Sequence, residues 1–293
     1  MMHTLTAERS LEITYRTIEL PLTRLHYATV GNGPPLIMVP ATVSDLQNWK
    51  ALTQFMGQRF TAHFFELPGH GQSSAFSEPF SSQLVAETVE HLVDALGYSS
   101  VSLMGFSFGG ILTMKTLAHL QERIDRVVLV SPCLTPRAIS LSELRKYMVR
   151  ASIKMLNRPR IVNGVAAAFQ HRRLGYSAAR LIRKIGEVEE TIPLETRLPT
   201  IPTSTYHVLA NQMVEIFNTG FESPAQPFTI PCYFAMSIYD PLLDFDITRA
   251  VAHENFVNLR TTQLYLPYHQ LPTPLMLDEL NQDYDHLLEM IRL

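Results

Sequence analysis

The chain has 293 residues, enough for one large domain or two modest ones around a sizeable core, and its 46% hydrophobic and 17% charged residues exclude disordered and fibrous classes. A net charge of −3 gives the whole chain no pull toward nucleic acid, and no apolar run approaches the roughly 20 residues that cross a bilayer. With no apolar signal-peptide core in "MMHTLTAERSLEITY", the expectation is a soluble cytoplasmic protein with no transmembrane segment and no nucleic-acid partner.

In chain order, "LEITYRTIEL" and "TRLHYATV" flank Pro21 and end at "GNG", a hairpin of β-branched and aromatic residues. "PPLIMVP" is wholly apolar, as a strand buried on both faces is. A helix over Leu46–Met56, a strand in "RFTAHFFEL" and a helix over Leu84–Leu96 follow. The strand "VSLMGF", a helix after Ser107 and the strand "RVVLVSP" complete an alternation that predicts a mostly parallel sheet flanked by helices. Cys133 and Cys232 each follow a proline, with no metal-type spacing, and reduced thiols are the expectation.

The alternation breaks after Cys133. Residues 134–227 carry helical segments parted by "NRP", "NG" and "LPTIPTS", without a convincing buried strand. Strand patterns return at 231–240 and 261–268 with a helix between them, and an amphipathic helix spans Leu275–Ile291. The simplest organisation is a core domain of residues 1–133 and 228–293, with an all-helical insertion at 134–227.

Gly105-Phe106-Ser107-Phe108-Gly109 matches G-x-S-x-G between an apolar strand and a helix. A turn that sharp leaves no room for side chains at the glycines. It lifts the serine hydroxyl off the sheet and sets the next N–H at a helix N-terminus, where negative charge is favoured. Read alone, the serine also suits a helix cap. A nucleophilic serine needs a base and an acid that orients it, expected in the order serine, acid, histidine at the carboxyl ends of strands. Asp240, ending "CYFAMSIY", and His269, ending "TTQLYLPY", satisfy that order. His70 lies in a turn, His91, His119 and His286 lie in helices, and Asp244 begins a helix as a cap would.

These residues make the chain resemble the α/β-hydrolase fold superfamily, across nearly the whole sheet domain. "GFSFGG" resembles its nucleophile elbow, "FFELPGHGQSS" its D-x-P/R-G-x-G-x-S loop, "YDPLLD" its acid turn and "YHQLPTP" its histidine loop. The resemblance implies a mostly parallel eight-stranded sheet, with residues 134–227 as a helical cap over the site. It implies a serine hydrolase acting on a carboxylic ester or related acyl bond, with Ser107, Asp240 and His269 catalytic and no metal or organic cofactor. Where the family carries His-Gly after its third strand, this chain has Pro40-Ala41-Thr42. The oxyanion hole then falls to the N–H groups of Thr42 and Phe108, and a positive φ at Ala41 would be strained. Phe106, Phe108, Trp49 and Ala41 are expected near the substrate, a small-molecule acyl compound.

Residues 134–185 hold twelve Lys or Arg and one acid, Glu143, so this segment carries +11 and the rest of the chain −14. Solvated helix faces explain such a pattern, and so does a cap that draws in an anionic substrate, an acidic carrier protein or a lipid surface. The alternatives are therefore a thioesterase or C–C hydrolase on an anionic substrate, and a catalytically silent member that binds a ligand or partner.

Overall fold

The sheet has the strand order β1-β2-β4-β3-β5-β6-β7-β8, formed by Thr14–Glu19 (β1), Arg24–Val30 (β2), Pro35–Val39 (β3), Thr61–Phe65 (β4), Val101–Phe106 (β5), Ile124–Val130 (β6), Cys232–Ser237 (β7) and Leu259–Leu264 (β8). The computed structural model describes residues 12–43, 45–186, 198–269 and 276–291. The first eleven residues, the start of the last helix at Leu275 and most of "YHQLPTP" lie outside the described residues. β1–β2 and β2–β4 are antiparallel, and every later pairing is parallel. After β3 the chain runs outward to β4 and then returns to the other flank of β3 as β5. The carboxyl ends of β3 and β5 therefore bound a crevice at the point where the winding reverses.

Side chains alternate faces along each strand. Leu103, Val127 and Phe234 join one core with helices α2 (Ser82–Ala95), α3 (Gly109–His119) and α8 (Phe245–Asn255). Met104, Val128 and Ala235 point the other way, toward α1 (Lys50–Gly57) and α9 (Leu277–Met290). This two-faced burial explains the unbroken apolar runs of the inner strands. Cys133 and Cys232 are buried and free, and burial pushes the Cys133 thiol up to about 12.

Between β6 and β7 lie α4 (Glu143–Leu156), α5 (Pro159–Gln170), α6 (Arg172–Gly186) and α7 (Thr203–Asn218). Helix α7 is tied to the sheet-bearing part of the chain. The Thr205 hydroxyl donates to the Gly69 carbonyl at 2.6 Å, and Glu215 accepts from both the N–H and the hydroxyl of Ser82. Among the described residues no helix is long and apolar enough to cross a membrane.

Several boundaries differ from the sequence reading. The helix expected from Leu46 begins at Lys50, because Asp45 holds a turn by accepting from the Gln47 N–H at 2.8 Å. The last two strands stop early, at Ser237 and Leu264. Beyond them the Ser237 hydroxyl donates to the Leu266 carbonyl and accepts the Leu266 N–H, at 2.6 and 2.9 Å, in place of ladder bonds.

Burial holds His63 down at about 4, helped by the charge of Arg16, and burial likewise holds His70 at about 4, against an ordinary 6.5. Both stay neutral in the folded chain, while the unfolded chain binds their protons below about 6.5. Stability is therefore full above that pH and falls toward pH 4, by about 3 kcal/mol per histidine. The urea midpoint is expected to drop across this window, and His63→Gln to lessen the drop. A midpoint independent of pH from 7 to 4.5 would contradict the assignment.

Candidate active site

The turn after β5 sets Ser107 at φ 53°, a left-handed conformation rarely adopted by a non-glycine residue. It is pinned by the Ser107 N–H donating to the Val130 carbonyl at 3.2 Å, and by the Ser107 carbonyl accepting from Cys133 and Gly110 at 2.8 Å each. The glycines are required by close approach. A Cβ at Gly105 would strike the Thr113 hydroxyl and the Gly109 carbonyl, and one at Gly109 would come within 2.5 Å of the Val39 carbonyl.

Asp240 follows β7 through a turn, and its side chain is fully buried. One carboxylate oxygen accepts the N–H groups of Leu242 and Leu243, at 2.9 and 3.0 Å. The other lies 2.7 Å from His269 Nδ1. A carboxylate only accepts, so Nδ1 donates and Nε2 is left as an acceptor. His269 Nε2 lies 2.7 Å from Ser107 Oγ, whose hydroxyl donates to it. Three side chains from the ends of β5, β7 and β8 thus form one hydrogen-bonded line. Asp244 stands apart from it and caps α8, accepting the Ile247 N–H at 2.9 Å. His119 is paired instead with Glu90, at 2.6 Å.

Phe108 is the N-cap of α3. The carbonyls of Val39 and Pro40 press on Gly109, so the loop carrying Ala41 and Thr42 crosses the start of that helix. Among the described residues, neither the Thr42 nor the Phe108 N–H has an acceptor. Ala41 does not adopt a positive φ, so the strain foreseen there is absent. The carbonyls of Thr42, Pro68 and Leu67 face His70 and offset part of its desolvation, yet among the described residues neither ring nitrogen has a partner at hydrogen-bonding distance and angle.

The aromatic residues divide between the two faces. Phe106 packs against Trp49 and against His269, with ring centres 5.4 and 5.5 Å apart, and Ala41, Trp49 and Phe106 line one small cavity. The Phe108 side chain is a correction to the sequence reading. It lies in the opposite core against Phe80, because the helix start turns its Cα–Cβ bond away from the crevice, so Phe108 offers the crevice only its backbone. Sequence reasoning missed Ser131, which follows β6 at φ 41° and lines a second cavity with His269. Its local signal, a serine before proline, is too common to single it out. It also missed the contribution of α9 to that cavity, since the spacing of apolar residues in α9 marks an inward face and not a gap beneath it.

Residues 34–186 match the model of the alpha/beta hydrolase fold family. Among curated relatives, the chain is 27% identical over 199 residues to a pimeloyl-[acyl-carrier protein] methyl ester esterase of Nitrosomonas europaea, covering 64% of this chain and 76% of that protein. It is 26% identical over 121 residues to a soluble epoxide hydrolase of a Corynebacterium species, covering 41% of this chain and 42% of that one, less than half its length. Of the solved structures, an esterase from Exiguobacterium antarcticum superposes with a TM-score of 0.66 at 16% identity, over 94% of this chain and 99% of that one. An enol-lactonase from Burkholderia xenovorans gives 0.62 at 17%, over 94% and 98%. At such identities the two structures speak for the fold alone.

Proposed function

Because the chain belongs to the α/β-hydrolase fold family and is a hydrolase, we propose that it is a serine esterase acting on a small-molecule acyl ester through Ser107, His269 and Asp240. The observation that carries this reading is the continuous line from Ser107 Oγ through His269 to Asp240, with 2.7 Å at each link. As the Ser107 oxygen attacks the ester carbonyl carbon, its proton passes to His269 Nε2. The carbonyl oxygen takes up the electron pair and is held by the N–H groups of Thr42 and Phe108. Collapse breaks the bond to the alcohol, which leaves with the proton from His269. Water then repeats the sequence on the acyl-enzyme, freeing the acid and restoring Ser107. Asp240 orients the imidazole and stabilises its charged form. On this reading residues 134–227 are the cap over the site, and the bonds of α7 to Gly69 and Ser82 support that placement.

A fluorophosphonate probe, which loses fluoride to an activated serine, is expected to label the protein, and Ser107→Ala to abolish labelling. Asp240→Asn should lower kcat for a p-nitrophenyl ester by about three to four orders of magnitude, as loss of the orienting acid does in such triads. An unlabelled wild type would instead support the silent, ligand-binding reading.

One observation favours a second reading, a thioesterase or C–C hydrolase on an anionic substrate. In the basic segment Arg145, Arg150, Arg158, Arg160, Arg173 and Arg180 are all exposed, whereas Lys146 is buried and paired with Glu143. Such a field speeds the encounter with anions and is screened by salt. On this reading, raising ionic strength from 0.01 to 0.2 M lowers kcat/KM for an anionic ester several-fold and leaves a neutral one unchanged. Equal responses would remove it.

A further inference from the structure

The catalytic histidine has an apolar cavity on one side that the reaction itself does not use. The centres of water-sized molecules have about 60 Å³ of room within it, and it lies between the sheet and the two helices of the second core face. Its floor is made by alternate side chains of β5 to β8, among them Val128, Ala235 and Leu264, and its roof by Leu52 of α1 with Leu280 and Leu287 of α9. The gap has a structural cause. Helix α1 has eight residues, about 12 Å of helix, and cannot cover four strands. Helix α9 closes the far side, tied to the chain just past α1 by the Gln58 side-chain amide donating to Asn281 at 2.6 Å.

Phe106, Ser131 and His269 stand where this cavity meets the hydrogen-bonded line. Most of the remaining wall is hydrocarbon. Water gains little in an apolar cavity of this kind, whereas methylene groups gain by leaving bulk solvent. We infer that the cavity between the sheet, α1 and α9 is the binding site for the aliphatic chain of the acid half of the substrate. The inference rests on the serine-esterase reading and names its substrate class, an ester of a medium-chain fatty acid.

The acid half is assigned on the order of events. The alcohol leaves first, and an alcohol chain threaded into this cavity would be held in behind the newly formed acyl group. An acyl chain stays through both steps and departs when Ser107 is freed. Three interstrand spacings give the floor a width of about 14 Å, which accommodates an extended chain of roughly eight to ten carbons.

The test is a pair of ester series with a binding measurement beside it. With p-nitrophenyl esters, kcat/KM is expected to rise at least tenfold from butanoate to octanoate, and ethyl octanoate to outrun octyl acetate by at least tenfold. Ala235→Leu on the floor and Leu280→Trp in the roof should each lower the octanoate-to-acetate ratio tenfold or more, with circular dichroism reporting that the variant is folded. Independently of chemistry, Ser107→Ala protein should bind octanoate in titration calorimetry, and either wall substitution should weaken that binding. A flat acyl-length profile with no binding of octanoate, in protein still labelled at Ser107, would overturn the cavity assignment and leave the esterase reading standing. A preference for octyl acetate would overturn the assignment to the acid half. Absence of labelling together with tight, wall-dependent binding would overturn the esterase reading and retain the cavity as a fatty-acid site.

Discussion

The backbone at Ser107 is held in a conformation that an isolated chain would leave. A φ of 53° on a serine persists only because the surrounding structure over-determines it. The end of β6 supplies two of the restraints, through the Val130 carbonyl and the Cys133 N–H, and the glycines let α3 and the loop after β3 close in from the other sides. Most of the site's geometry follows from this turn. It aims the hydroxyl at His269, starts α3 directly after Ser107, and lets the Val39 and Pro40 carbonyls close on Gly109.

Asp240 and His269 are held differently from Ser107. Both stand on chain that has left the sheet, Asp240 three residues past β7 and His269 five past β8. Their precision comes from side-chain to backbone hydrogen bonds. Ser237 bonds both backbone groups of Leu266, and Asp240 takes two N–H groups with one oxygen, which leaves the other for His269. A fully buried carboxylate with all these donors has its charge balanced locally, so it can hold the imidazole in one tautomer.

How legible this was in the sequence depended on the range of the interaction. The elbow was readable because glycine spacing between a strand and a helix is a local constraint, and Asp240 and His269 stood out as candidates because each ends a strand-like run, in the order the family resemblance implies. Strand lengths near the site were not, because the competing bonds of Ser237 to Leu266 join residues 29 apart. Nor was the direction of the Phe108 side chain, which the helix start decides. The cavity under the sheet was illegible for another reason. Apolar spacing in α1 and α9 tells which face turns inward, but how closely two helices meet four twisted strands depends on packing across the whole face.

The most direct measurement of the central claim is peptide mass spectrometry on protein quenched in acid during turnover of p-nitrophenyl octanoate. The expected result is an octanoyl adduct on the peptide that contains Ser107. A modified peptide elsewhere in the chain, or turnover with no covalent adduct at any time, would contradict the assignment of Ser107 as the nucleophile.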